Sequence, residues 1–258
     1  MNELVVVGCG TVVPEPDRGA SSYFVRIGET SALFDCGPGA VQTLSRLGLP
    51  WATLDALVIT HFHADHVGAL PGLFFAFKHG LYEPRAEPLR IIGPLGTAGF
   101  LDRLAAAYGD FVLDPGFPLA LDELPAGHEL DVGSGIVLRS HKTPHTEESV
   151  AYRVDAGDAS FGYSGDSGPT DTLGGFMRGV SAFVCECSLR DDEVGDNHLS
   201  PGRVARIARE ASPNLLILTH VYPHLRCVAD VASLVEAAGY GGSVNVAYEG
   251  MRVALTNR

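Results

Sequence analysis

Six consecutive residues, His61-Phe62-His63-Ala64-Asp65-His66, set four metal-competent side chains directly behind a short apolar run at 54–60. That juxtaposition restricts the fold. An apolar run of this length between turn signals suits a strand buried on both faces, which further layers must cover. His61 and His63 point the same way while the chain stays extended. A tight turn into a helix beginning near Asp65 and carrying Val67, Leu70, Leu73 and Phe74 swings Asp65 and His66 toward the same point. Packing alone accounts poorly for such a cluster. Imidazole and carboxylate together suit Zn²⁺, with Mn²⁺ or Fe²⁺ as alternatives.

The rest of the chain supplies those layers. Strand-like runs at 4–7, 22–27 and 32–35 are separated by Gly8-Cys9-Gly10 and by a turn at 14–19. A helix is expected after Gly37-Pro38-Gly39, with Val41, Leu44 and Leu47 on one face. A strand at 89–92, a helix at 97–108 and irregular chain to about residue 127 follow. Further strands are expected at 136–141, 150–154, 159–164, 182–186, 215–219 and 244–247, and helices at 201–211 and 228–238. Strands first, then strands mixed with helices, predict a mixed α/β (α+β) class with two sheets between helices. No linker-like or repeated segment divides the 258 residues, so one domain spanning 1–258 is expected.

Eighteen basic against 31 acidic residues give a net charge of −13. An acidic surface repels polyanions, which disfavours a large RNA as substrate. Cys9, Cys36, Cys185, Cys187 and Cys227 form no C-x-x-C pair, as expected of free thiols in a reducing compartment. Cys185 and Cys187 would share one strand face, but no second Cys/His pair adjoins them to complete a zinc site. The N-terminus shows no basic segment followed by a long apolar one, and no run reaches the ~18 apolar residues of a membrane span. A cytoplasmic protein is expected.

His61-x-His63-x-Asp65-His66 after Leu57-Val58-Ile59-Thr60 resembles the signature of the metallo-β-lactamase superfamily. Other motifs of that family follow in order. Asp35-Cys36-Gly37 resembles the early Asp-x-Gly motif, whose Asp supports the metal loop. Pro144-His145-Thr146, Gly165-Asp166-Ser167 and Thr219-His220 resemble the three later ligand motifs. The resemblance implies an αββα sandwich with a two-metal site at one edge of the sheets. It also implies that His61, His63 and His145 hold one Zn²⁺, that Asp65, His66 and His220 hold the other, and that Asp166 lies between them. Such a pair shares a hydroxide and clamps both oxygens of a displacement.

Within the superfamily, Asn197-His198-Leu199-Ser200-Pro201 resembles the His-x-Ser/Thr segment of the ribonuclease Z-like branch, where the His projects toward the leaving group. Ser200 also suits a helix N-cap, with Pro201 in the first turn. Gly8-x-Gly10-Thr11, residues 66–73 and Ser149-Val150-Ala151-Tyr152-Arg153 are similar to that branch too. The resemblance gives Asp65 and His198 catalytic roles and makes Glu186 a candidate partner of His198. One departure concerns substrate. The basic, Gly/Pro-rich arm that grips tRNA in ribonuclease Z has no counterpart, and residues 111–125 contain no Lys or Arg. The expected activity is hydrolysis of a small phosphodiester, with ester, lactone, β-lactam or aryl-sulfate hydrolysis at the same site as the alternative. Family members often form homodimers, and the apolar stretch 70–77 is either such an interface or core.

Overall fold

The first strand is apolar at every position from Leu4 to Val7 because both of its faces are covered. Leu4 and Val6 face a second sheet, whereas Val5 and Val7 lie under helices. This is a computed structural model, and it describes residues 2–81, 83, 85–228 and 230–256. One seven-stranded sheet has the order β14-β1-β2-β3-β4-β5-β6. Its strands are β1 Glu3–Gly8, β2 Ser22–Ile27, β3 Thr30–Phe34, β4 Ala56–Val58, β5 Leu89–Gly93, β6 Leu119–Glu123 and β14 Arg252–Ala254. The other has the order β13-β12-β11-β10-β9-β8-β7. It comprises β7 Glu129–Gly133, β8 Ile136–Lys142, β9 Val150–Ala156, β10 Ala159–Tyr163, β11 Ala182–Glu186, β12 Leu215–Thr219 and β13 Val244–Val246.

Three apolar layers hold the sheets and helices together. Between the sheets, Tyr23, Val25, Phe34 and Val58 meet Tyr152, Phe161, Tyr163 and Ile217. Outside the first sheet, Phe24, Leu57 and Ile91 are covered by α1 (Ala40–Arg46), α3 (Leu70–Gly80) and α4 (Thr97–Tyr108). Outside the second, Phe183, Cys185 and Leu218 are covered by α6 (Pro201–Ala211) and α8 (Val231–Ala237). Each large side chain removed from water in these layers contributes roughly 1.5–3 kcal/mol. The architecture is the expected αββα sandwich.

Several elements differ from the sequence reading. The helix expected from Asp65 is two helices, α2 (Ala64–Val67) and α3, separated at Gly68. Gly68 lies so close to Pro38 that a Cβ there would sit 2.4 Å from the Ala64 carbonyl oxygen and 3.2 Å from the proline ring. The 70–77 stretch is core, with Leu70, Leu73, Phe74 and Phe77 buried and only Phe75 among its large side chains exposed. Residues 111–125, expected to be irregular, supply a 3₁₀ turn at Asp110–Val112 and the edge strand β6. β7 and β14 were not anticipated. The single helix expected over 228–238 is α7 (Pro223–Val228) followed by α8, whose start is capped by the Asp230 carboxylate; Ala229 lies outside the described residues. Among the described residues no helix is long and apolar enough to cross a membrane.

The topology decides where chemistry can occur. β3, β4, β5 and β6 run parallel, as do β10, β11, β12 and β13. Ligand sites in sheets of this kind collect beyond the carboxyl ends of such strands. Asp35, His61, Asp166, Cys187 and His220 all follow those ends.

Candidate metal centre

The centre is assembled from strand ends and the loops that follow them. β4 delivers Thr60 and His61, and the chain then bends into α2, which carries Asp65 and His66. The loop between β8 and β9 brings His145, the turn after β10 brings Asp166, and the end of β12 brings His220. Nitrogen or oxygen atoms of His61, His63, His145 and Asp166 lie within 4.8 Å of one another. Those of Asp65, His66 and His220 do so as well, and those of Asp166, His198 and His220 form a third such group. The structure therefore gathers all eight residues singled out from the sequence.

Four of the five imidazoles are aimed by a bond on Nδ1. His66 Nδ1 donates to the Asp35 carboxylate at 2.7 Å, and His145 Nδ1 to the Asn197 carbonyl at 2.8 Å. His61 Nδ1 and His220 Nδ1 meet the hydroxyls of Thr60 and Ser188, each at 3.0 Å. Those hydroxyls donate onward, Thr60 to Asp35 at 2.8 Å and Ser188 to Glu186 at 2.6 Å. With Nδ1 occupied, Nε2 of all four rings is left for the centre, an arrangement that fixes both tautomer and orientation of a ligating histidine. His63 presents Nδ1 instead, 3.0 Å from His145 Nε2.

Two residues hold unusual backbone angles to make this geometry. Asp35 has φ +53° and His220 has φ +54°. A non-glycine residue in the left-handed region costs free energy that the surrounding structure must offset. Asp35 recovers it through four donors: the Thr60 amide, the Thr60 hydroxyl, His66 Nδ1 and the Tyr163 hydroxyl. Gly165, just before Asp166, has φ +55°, and a Cβ there would come within 2.9 Å of Thr60 Cβ.

Burial turns polar atoms of the centre toward one another with no outside partner. Nε2 of His61, Nε2 of His66 and Oδ1 of Asp166 are buried and have no hydrogen-bond partner. Such orphans cost about 1–3 kcal/mol each. They converge: Asp166 lies 3.2 Å from His66 Nε2, 3.5 Å from His145 Nε2 and 3.6 Å from His220 Nε2. Burial disfavours the charged Asp166 carboxylate, but His220, His66 and His61 hold its pKa well below the usual range. Burial, with His66 next, pushes His61 well below the usual imidazole value, so it is neutral and free to donate a lone pair. An anionic carboxylate among inward-facing imidazole nitrogens is a donor set that fits divalent metal ions.

His198 stands beside this group with its ring 5.0 Å from that of His145 and 5.6 Å from that of His220. Its Nδ1 meets the fully buried Glu186 carboxylate at 3.1 Å. Burial lowers the His198 pKa, but the Glu186 bond and charge outweigh it and leave the pKa raised. Glu186 also accepts from the amides of Ser167 and Leu199. Ser200 precedes α6 as expected, yet its hydroxyl donates to Asp191 at 2.5 Å, and Asp191 takes the Gly202 amide. The capping is therefore done by the carboxylate. All five cysteines are free thiols; Cys185 and Cys187 are buried in the layer under α6, and burial raises both their pKa values.

The sequence reading missed Thr60, Ser188 and Lys142. Each lies within two positions of a motif or candidate residue, and their hydroxyl or ammonium groups were the available signal. Lys142 donates to the carbonyls of Thr143, Thr146 and Ser149, closing the loop that carries His145.

A family model described as the beta-lactamase superfamily domain matches residues 30–221, which include every motif from Asp35 to His220. The ribonuclease Z of Mycobacterium avium (strain 104) is 31% identical over 87% of this chain and 88% of its own length. The chain belongs to the metallo-β-lactamase superfamily. Two solved structures share its fold. The metallo-beta-lactamase fold protein YhfI from Bacillus subtilis aligns with a TM-score of 0.81 at 24% identity, over 98% of each chain. The short form of human tRNase Z aligns at 0.80 and 22% identity, over 98% of this chain and 99% of that one. As a superfamily member with this donor cluster and ribonuclease Z relatives, the protein is a metal-dependent hydrolase.

Proposed function

We propose that the centre is dinuclear and that the enzyme hydrolyses a small phosphodiester. The observation that carries this reading is the convergence of the orphaned His61, His66 and Asp166 atoms beside a histidine that is itself paired to a buried glutamate. His61, His63 and His145 would hold one divalent ion, Asp65, His66 and His220 the other, with Asp166 shared between them. Zinc suits this nitrogen-rich set. Ions bound there would lower the pKa of water and neutralise charge developing on a phosphoryl group.

The chain's own residues do the remaining work. Asp35, Thr60 and Ser188 keep the ring nitrogens pointed inward. Glu186 keeps a proton on His198 Nδ1, and its charge favours the doubly protonated ring. His198 can then hand the Nε2 proton to a departing oxygen. Asp65 Oδ2 lies 3.1 Å from His220 Nε2, with part of its carboxylate open to the cleft, where it can orient an attacking water.

Charge and shape support a small substrate. The loop leading to His198 carries Asp192, Glu193 and Asp196 at the surface. The cleft at Asp65 has a volume of about 660 Å³ between Val12, Pro14 and Arg18 on one side and Gln42 and Arg46 on the other. That suits a single nucleotide-sized group. The relatives named ribonuclease Z favour phosphodiester chemistry, while residues 111–125, which include the edge strand β6, carry no Lys or Arg.

The test combines metal analysis with kinetics. Purified enzyme should carry two divalent ions per chain and cleave bis(p-nitrophenyl) phosphate faster than a lactone or nitrocefin. His198→Ala should lower kcat by about 10²–10⁴, the usual worth of a general acid, at unchanged metal content. A wild-type rate in that variant would remove His198 from the mechanism.

A further inference from the structure

Four tyrosines lie in or near the centre, and one is unlike the rest. Tyr23, Tyr152 and Tyr163 are fully buried, and each hydroxyl is bonded, to Thr219, to the Ile59 carbonyl and to Asp35. Tyr222 is partly exposed, and its hydroxyl makes no hydrogen bond among the described residues. Filling a core does not require this ring.

Its position is nonetheless well fixed. The preceding Val221 is fully buried, the Tyr222 amide donates to the Ser188 carbonyl at 3.2 Å, and Pro223 starts α7. The phenol ring stands 5.8 Å from the His220 ring at 77° and 6.3 Å from the His198 ring at 71°. Those two imidazoles are nearly parallel, 19° apart, so the phenol crosses the end of both. The ring of His224 lies 5.9 Å beyond it and is held by Glu193. An aromatic surface therefore runs from the proton-donating side of the centre outward to solvent.

The half-exposed Tyr222 ring is the flat element of that surface, and such a ring binds planar groups with little regard to their hydrogen-bonding pattern. The exposed Asp192, Glu193 and Asp196 repel any group there that carries further phosphates. We infer that Tyr222 is a specificity-determining wall, selecting diesters that place one planar aromatic group, a nucleobase or an aryl group, on the His198 side. This inference rests on the phosphodiesterase reading.

Two substrates with the same reacting atoms separate base recognition from chemistry: adenosine 3′,5′-cyclic phosphate and methyl riboside 3′,5′-cyclic phosphate. Tyr222→Ala should lower kcat/KM on the adenosine compound by about tenfold, a typical loss for one stacked base, mainly through KM. It should leave the base-free compound unchanged and metal content intact. Tyr222→Phe should behave as wild type on both, because the ring and not the hydroxyl is at work. Equal losses on the two substrates, an adenosine rate that Tyr222→Ala leaves intact, or a Phe variant as impaired as Ala, would overturn the inference. So would wild-type enzyme that cleaves bis(p-nitrophenyl) phosphate without preferring the base-bearing cyclic phosphate. Wild-type enzyme that cleaves no diester at all would overturn the underlying reading, and this inference with it.

Discussion

Asp35→Asn isolates what one buried carboxylate contributes. Asparagine tolerates the left-handed backbone better than most residues, so φ +53° at this position can persist. The lost quantities are charge and one acceptor. In wild type, Oδ2 takes the Thr60 hydroxyl, His66 Nδ1 and the Tyr163 hydroxyl at 2.7–2.8 Å, and Oδ1 takes the Thr60 amide at 2.8 Å. The less costly amide orientation keeps the oxygen on the first three and turns the NH₂ toward the Thr60 amide. That leaves a buried backbone donor unsatisfied, at about 1–3 kcal/mol, and makes three charge-assisted bonds neutral, at about 1 kcal/mol each. The sum, allowing for partial relaxation, is about 3–5 kcal/mol. At roughly 2–4 °C per kcal/mol for a chain of this size, Tm should fall by about 10 °C. His66 loses its anionic partner at the same time, so metal affinity should fall by about 10–100-fold. Thermal unfolding of the metal-free protein gives the first number, and competition with a chromogenic chelator gives the second. A metal-free variant that melts within about 2 °C of wild type and binds metal equally well would refute the assignment of Asp35 as the support of this centre.

Metal-free protein should lose stability as pH rises above about 6.5. Burial opposes protonation of His66, but Asp166 and Asp35 raise its folded pKa well above the unfolded value. Its contribution is therefore complete below the unfolded pKa and is lost as pH rises through the folded one. His61, whose pKa is depressed, is neutral in both states above that point and adds no slope. Metal-loaded protein should behave oppositely, since ligation needs neutral imidazoles; denaturant melts of both forms at pH 6.5–9 check this. Glu186→Gln should lower kcat by about tenfold or more and move the alkaline limb of the pH–rate profile to lower pH, because the Glu186 charge holds the His198 pKa up. An unmoved limb would separate Glu186 from His198 function.

The candidate donor cluster was legible because residues 61–66 are clustered in the chain as well as in space, and each later candidate donor follows an apolar strand run that periodicity detects. The helix Pro201–Ala211, with its apolar face, was equally plain, although its cap is Asp191 and not the Ser200 side chain. What escaped detection depends on tertiary contacts. β6 lacks a clean alternation and is a strand because β5 pairs with it, whereas β7 alternates Leu130 and Val132 with polar residues over only five positions and pairs with β8. The break at Gly68 comes from Pro38, thirty positions earlier, approaching the backbone. Thr60 and Ser188 are ordinary hydroxyl residues until the fold sets them against imidazole nitrogens. The aromatic wall at Tyr222 has no spacing rule behind it; a half-exposed ring beside the centre is visible only in three dimensions.

Asp65 and His220 meet at 3.1 Å although 155 positions separate them. One comes from the first sheet's connections and the other from the last parallel strands of the second. The first half carries His61, His63, Asp65 and His66 and the second His145, Asp166 and His220, so neither donor set is complete until both halves have folded together. Bound metal should then act chiefly on the way out, slowing unfolding without hastening folding. A chain that loses its ions becomes kinetically fragile before it becomes misshapen, because the same atoms that close the centre also clasp the two sheets at one end.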